Sequence, residues 1–482
     1  MWSFTRFVIW FIGTTVVVSG GLSPSLIQNT RNIVVGYIET IHYSQYNMPI
    51  DFNKGSQKVL YLLENSAENI FLTGNAGTGK STLLDHFRNH TDKNVAVVAP
   101  TGVAALNVKG ETIHSFFGFP PSITPEKAIL EAKHSKKAKI YNNLDVLIID
   151  EISMVRADLL DSIDSFLRTI RKKSGVFGGV RIIMVGDLHQ LPPVVTSQEK
   201  QALESIYETP YFFSSKVFNR LFGGLYSQLK FIELQTIYRQ SEKRFIDILN
   251  RIRNNRATSD DLEVINNHLI SESDSIESYI ILTTINEQAD RINQARLDEI
   301  EGPVYTFHAV RSGDFPPQQA PAADTVLLKT GARVMLLNND TQDRWVNGTI
   351  GTLFRAESGF AYVKLDGGGI EKIEPVTWTA YKTSFNQDTA ILETKEAGSF
   401  KQMPIRLAWA ITIHKSQGKT FEKVVIDLGY GAFAHGQTYV ALSRCTTMSG
   451  LRLIRPLTQQ SIIMDMRVLE FLDRLRQSVV QL

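Results

Sequence analysis

Residues Gly74–Ser81 read GNAGTGKS and fit the phosphate-binding pattern G-x-x-x-x-G-K-S. Glycines in such a loop let backbone N–H groups curl round phosphate oxygens with no Cβ in the way. A following helix adds free donors and the positive end of its dipole. Lys80 would hold the β- and γ-phosphates and the Ser81 hydroxyl would sit on Mg²⁺, with Gly74, Gly77, Thr78, Gly79 and Thr82 completing the cradle. The apolar run Ile70-Phe71-Leu72 before the loop and the helical run from Ser81 to Phe87 after it supply the strand–loop–helix context that the motif needs.

Four further blocks carry complementary chemistry. Leu147-Ile148-Ile149-Asp150-Glu151 is an apolar strand ending in two carboxylates, where Asp150 suits Mg²⁺ and Glu151 suits orienting or deprotonating an attacking water. Gln190, in Gly186-Asp187-Leu188-His189-Gln190-Leu191-Pro192-Pro193, can donate to a phosphate oxygen and accept from water, as a γ-phosphate sensor must. Arg239 and Arg444 could each lend a planar cation to the charge growing on a transferred phosphoryl group. Arg239 alone reads equally as a surface ion pair, whereas Arg444 stands among apolar and small residues, where a charge needs a reason.

Small hydroxyl, amide and imidazole groups recur at two places and suit contacts with a single nucleic-acid strand. One is Thr101-Gly102 with Thr112, His114 and Phe116; the other is His414, Lys415, Ser416 and Gln417, leading into Gly418. Phe116 could stack on a base, although Phe116, Phe117 and Phe119 also read as core. The basic run Arg239, Lys243, Arg244, Arg251, Arg253 and Arg256 reads chiefly as a solvated helix face.

These side chains need a scaffold, and the pattern supplies one. Candidate strands at Asn69–Thr73, Val95–Ala99, Val146–Ile149 and Arg181–Val185 alternate with helical stretches, the rhythm of a parallel sheet wound with helices. The expected first α/β domain spans 48–230, with a lysine-bearing insertion near 118–140. A second α/β unit is expected over 231–336 and 401–475, with strands near Tyr279–Leu282, Arg333–Leu336 and Val424–Asp427. Between them, 337–400 alternates in short runs broken by Asn347-Gly348 and Asp366-Gly367-Gly368-Gly369, which predicts a small inserted β-barrel.

The chain has 482 residues, 43% of them hydrophobic, and a net charge of only +2, so any nucleic acid must be gripped by a local groove rather than a global field. A single cysteine, Cys445, excludes an internal disulfide. Residues 1–47 differ from the rest: Phe7–Val18 is apolar behind Arg6, signal-like and short for a membrane span. The preferred reading is that Met48 is the start, giving a cytoplasmic or nucleoid protein; organelle targeting or membrane anchoring by 1–47 is the alternative.

Taken in order, GNAGTGKST, APTGVAAL with TIHSFFG, LIIDEISMV, VGDLHQLPPV, IYRQ, LAWAITIHKSQGKTF and YVALSR closely resemble the superfamily 1 helicases, in the Pif (petite integration frequency) branch related to RecD-like enzymes. The resemblance covers about Asp51 to Leu453 and includes a signature block at Tyr238-Arg239-Gln240 with Phe245, Leu249 and Arg253. It implies two RecA-like P-loop domains with ATP and Mg²⁺ between them, and an SH3-like barrel in the second. It implies 5′-to-3′ movement on single-stranded DNA, with forked or tailed duplexes as substrates, adenine contact by Gln57 and a place for Gly418 beside the nucleotide. A monomer needing no membrane is expected, and RNA stays open as a track because phosphate contacts do not distinguish sugars. A translocase that unwinds poorly and a nucleotide-gated DNA-binding module are the competing readings.

Overall fold

The computed structural model describes residues 7–11, 14–18, 53–75, 77–120, 122–218, 229–234, 242–271, 274–342, 344–387, 389, 391–429 and 431–477. The chain divides into two compact units, Met1–Ser66 and Ala67–Leu482. In the smaller unit, Phe7–Phe11 pairs antiparallel with Thr14–Val18. The same unit holds the helix Lys54–Asn65, whose N-cap Asn53 accepts a hydrogen bond from the Ser56 backbone through its side chain. No helix among the described residues is long and apolar enough to cross a membrane.

The larger unit opens with a six-stranded, wholly parallel sheet in the order Glu111–Thr112, Val95–Ala99, Val146–Ile149, Arg181–Val185, Asn69–Gly74, Leu229–Leu234. Its central strands are near-continuous runs of Val, Ile and Leu because helices cover both faces and neither alternates with water. The four strands expected here form where the pattern placed them. Leu229–Leu234 corrects the expected start of the second domain at Phe231: it is the edge strand of this first sheet, paired with the strand that feeds the P-loop. The lysine-bearing segment forms two helices, Pro125–His134 and Ala138–Asn142, whose Ala128, Ala132, Ile140 and Tyr141 join the first core.

A second parallel sheet runs Ala410–Thr412, Ile280–Thr283, Val424–Asp427, Leu451–Leu453. Helices Lys243–Arg253 and Gln437–Leu442 pack on its core. Arg333–Leu336 is a strand as expected, but it belongs to an antiparallel sheet of five with Ile370–Ile373, Phe360–Leu365, Ile350–Glu357 and Ile405–Leu407. The antiparallel region therefore exceeds 337–400 on both sides. It also includes a long hairpin, Val376–Phe385 with Leu392–Gln402, joined by Val310–Gly313.

Two elements cross between the lobes. The hairpin tip reaches the first lobe, where the Thr383 N–H donates to Glu111 Oε1 (2.5 Å) and the Leu392 N–H to Asn94 Oδ1 (2.7 Å). Phe385 and Leu392 pack there on the first core. The last helix, Met466–Gln477, was expected in the second domain; instead Val468, Phe471, Leu472 and Leu475 enter the first core. Phe471 lies against Phe71, Phe212, Phe213 and Phe218, an aromatic cluster that accounts for the return.

Candidate active site

The P-loop joins strand Asn69–Gly74 to helix Lys80–His90. Gly74 has φ 157°, and a Cβ there would lie 2.8 Å from the Leu234 carbonyl, so the neighbouring edge strand demands glycine. Gly77 and Gly79 also have positive φ, and Gly79 caps the helix in the left-handed region. Thr78 is buried and donates to the Asn75 carbonyl (3.0 Å), whereas Ser81 and Thr82 face outward. Lys80 Nζ rests on the Gly74 and Asn75 carbonyls at 2.9 and 3.0 Å. Burial lowers its pKa, and the carboxylates of Asp187, Glu151 and Asp150 offset part of that.

Strand Val146–Ile149 ends at Asp150 and Glu151, as its apolar-then-acidic pattern requires. Glu151 takes a left-handed conformation, φ 49°. Burial, then the charge of Asp150, push its carboxyl up to about 7, and Lys80 and Arg444 pull against them. Burial likewise raises Asp150. An outward Ser81 hydroxyl and a neighbouring carboxylate are the hard oxygen donors that Mg²⁺ takes alongside phosphate and water, so these residues fit that ion.

The next strand delivers a third carboxylate, Asp187, which the sequence reading passed over. Asp187 accepts from the His189 N–H (3.1 Å), the His189 ring (Nδ1, 3.2 Å), Gln190 Nε2 (3.2 Å) and Arg253 Nη2 (3.1 Å). Burial alone would raise this carboxyl; Arg253, then His189, overcome it and hold it well below the usual range. Burial and the Arg253 charge push His189 down to about 4, so its ring is neutral and donates through Nδ1.

Arg253 is 5% exposed and comes from helix Lys243–Arg253 of the second lobe. This corrects its reading as part of a solvated basic face. One turn earlier, Asn250 accepts from the Asn75 side chain in the P-loop (3.1 Å). Arg253 also faces Glu233 at 3.7 Å, and Glu233 is clasped by Arg476 at 2.9 and 3.0 Å. The signal for Arg253 was present: Phe245, Ile248, Leu249 and Ile252 form an apolar stripe, and position 253 falls on it.

Arg444 is fully buried. Its guanidinium donates to the Val440 carbonyl (2.9 Å), the Lys419 carbonyl (3.2 Å) and Ser443 Oγ (2.8 Å), and its charge acts on Glu151 across the cleft. Gln417 Nε2 donates to Gln190 Oε1 (3.3 Å), a further tie between the lobes. Gly418 follows it with φ 79°. Arg239 lies outside the described residues, and Gln57 sits partly buried on helix Lys54–Asn65.

The expected nucleic-acid residues share one local device. Thr101, Thr112 and Thr412 each end a strand or its turn and cap a short helix, accepting from the N–H groups of Ala104, Ser115 and Lys415. Gly102 starts the first of these helices, His114 lies partly buried in the second, and His414 and exposed Lys415 lie in the third. Ser416 turns inward and donates to the Ile413 carbonyl (2.7 Å). Phe116 offers no stacking face: it is 1% exposed, edge-on to Phe117 and Tyr141. Cys445 is buried, its thiol pushed up to about 11 by desolvation.

A family model described as PIF1-like helicase matches residues 53–263. The chain is 34% identical to the human ATP-dependent DNA helicase PIF1, over 85% of this chain but only 62% of that protein's length. It is 33% identical to the Bdellovibrio bacteriovorus ATP-dependent DNA helicase Pif1, over 84% of this chain and 88% of the relative. The Bacteroides Pif1 structure in complex with ADP-AlF4 aligns at 36% identity and TM-score 0.81, covering 90% of this chain and all of that one. The same organism's Pif1 bound to single-stranded DNA aligns at TM-score 0.60. The shared sequence thus runs through both lobes and the cleft between them, and the chain belongs to the PIF1-like helicase family.

Proposed function

We propose that this chain is an ATP-dependent DNA helicase that moves 5′-to-3′ on single-stranded DNA and separates duplexes. The observation that carries this reading is one cleft built from two lobes. Lys80, Asp150, Glu151, Asp187 and Gln190 come from the first, and Arg253, Gln417 and Arg444 from the second. The curated relatives are named ATP-dependent DNA helicases, and a Bacteroides relative was solved with ADP-AlF3 and single-stranded DNA.

In this reading Lys80 and the P-loop N–H groups bind the phosphates, and Ser81 with Asp150 would hold Mg²⁺, which neutralises phosphate charge. Glu151, poised near neutrality by burial, orients and deprotonates the attacking water. Gln190 senses the γ-phosphate and passes its state to Gln417 across the cleft. Arg444 and Arg239 supply the cations for the transition state. Gln57 contacts adenine. The Thr-capped helix starts at Thr101, Thr112 and Thr412, with His114, His414 and Lys415, track the DNA backbone, so sequence preference is weak and salt dependence strong. The antiparallel insert is the SH3-like barrel of this family. Each base-pair step costs about 1.4 kcal/mol of stacking, a load that nucleotide hydrolysis covers.

Forks with a single 5′ tail are unwound and forks with only a 3′ tail are not, while Lys80→Ala abolishes ATP turnover and keeps strand binding. The opposite polarity, or normal turnover by Lys80→Ala, rejects the proposal.

A further inference from the structure

The corner His435-Gly436 precedes helix Gln437–Leu442, which leads directly into Arg444. It belongs to the second lobe, yet it sits on the sensor loop of the first. His435 Nε2 lies 2.7 Å from the Leu188 carbonyl, and the Asp465 N–H donates to His435 Nδ1 at 2.8 Å. A carbonyl only accepts and an amide N–H only donates, so the ring must be neutral with its proton on Nε2. Burial lowers its pKa and favours that neutral form. Asp465 (its carboxylate held by Arg467 at 2.7 Å), Tyr211 edge-on at 6.0 Å, Asp187 and His189 surround it.

Gly436 brings the backbones themselves together. It has φ 69°, and a Cβ there would lie 2.2 Å from the His189 carbonyl and 2.7 Å from that of Gln190. Leu191, just past the sensor, is fully buried in the second-lobe core. Leu188 through Leu191 are therefore gripped from the opposite lobe on either side of Gln190.

We propose that His435 is a positioning residue for ATP hydrolysis. By donating from Nε2 to the Leu188 carbonyl, with the Asp465 N–H on Nδ1 fixing that tautomer, it seats the Arg444 helix on the γ-phosphate sensor and sets how far the guanidinium stands from Gln190 and Glu151. The inference rests on the ATP-hydrolysing reading above and adds to it a residue whose hydrogen bonds run to Leu188 and Asp465. A side chain that only filled space would need neither hydrogen bond.

Amide substitutions separate the two bonds. His435→Gln places an N–H where Nε2 donates to Leu188; His435→Asn keeps an acceptor for Asp465 and loses that donor. Misplacing a reacting group by about 1 Å can cost on the order of 100-fold. DNA-stimulated kcat of His435→Asn is expected to fall about tenfold with the KM for ATP within about twofold, and His435→Gln to stay within about threefold of wild type. Thermal melting of both variants is recorded alongside. Wild-type kcat in His435→Asn, or losses in both variants that track lowered melting temperatures, overturns the proposal. ¹⁵N-histidine NMR of the wild type reads the tautomer without any activity: a neutral Nε2–H ring at pH 7 is expected, and an Nδ1–H or charged ring overturns it. A wild type that turns over no ATP rejects the helicase reading, and the NMR result still judges His435.

Discussion

Removing the Arg253 side chain should injure the cleft more than its position in a basic run suggests. Arg253 Nη2 and Asp187 Oδ1 are 3.1 Å apart, and both side chains are buried. At an effective dielectric of about 20 that separation corresponds to roughly 5 kcal/mol of attraction, most of which offsets the cost of desolvating two ions. Breaking such a pair by truncating one partner typically costs about 3–5 kcal/mol, because the other charge stays buried. Asp187 keeps the donors of His189 and Gln190, so Arg253→Ala should destabilise by about 2–3 kcal/mol. Asp187→Asn removes the charge while leaving an oxygen acceptor, so the double variant should recover part of the loss. Urea unfolding of wild type, both single variants and the double variant gives the coupling energy, expected to be at least about 1.5 kcal/mol. The unfolding of two lobes need not be two-state, so the transition must coincide by fluorescence and circular dichroism before the cycle is closed. Losses that add to within about 0.5 kcal/mol would falsify the claim that this ion pair ties the lobes.

Phe116→Ala should cost about 3–5 kcal/mol of stability and leave single-strand affinity unchanged below its melting range; weakened DNA binding with unaltered stability would return Phe116 to the DNA interface. Burial, then the nearby charge of Arg406, push Lys419 down to about 8, and its ammonium meets the Asn347 side chain. A DNA phosphate beside it would raise that value, so binding takes up a proton and affinity should fall as pH rises above 8. Lys419→Arg stays charged throughout, and fluorescence anisotropy should then show a flattened pH dependence; an unchanged slope places Lys419 away from the strand.

The placement of the polar residues of the first lobe was largely legible because each block pairs an apolar run with a polar end. A parallel strand buried on both faces can deliver charge only at its tip, which locates Asp150 and Glu151 without any tertiary information and puts Lys80 and Gln190 in the loops that follow their strands. Asp187 obeys the same rule, two residues past its strand, in a block where Gln190 offers the more evident chemistry. Arg253 stands in a run of like charges along a helix, and its phase against Phe245 and Leu249 is what turns it inward. Leu229–Leu234 and Met466–Gln477 failed differently. Each is compatible with either lobe by local pattern, and long-range partners decide: the Asn69–Gly74 strand in one case, Phe71 and Phe213 in the other.

The contacts between the lobes sort by chemistry in a way that bears on motion. Around the P-loop they are mostly polar, with Leu191 the apolar exception: Asn75 with Asn250, Asp187 with Arg253, Gln190 with Gln417, Leu188 with His435. Water can replace such bonds when a cleft widens, so each neutral one resists opening by only about 0.5–1.5 kcal/mol. The hairpin tip and the C-terminal helix add apolar contacts to their polar ones, through Phe385 and Leu392 and through Phe471 and Leu472, and exposing these side chains gains nothing from water. Phe471 and Leu472 alone would forfeit about 1.5–3 kcal/mol each if fully exposed. A helix that returns to the first core by such a face acts as a tether, while the polar seam can make and break with the nucleotide. The two sets therefore need different perturbations to separate. Arg253→Ala should loosen the cleft and spare the tether, whereas Phe471→Ala should release the C-terminal helix to proteolysis even with the cleft closed by a nucleotide analogue.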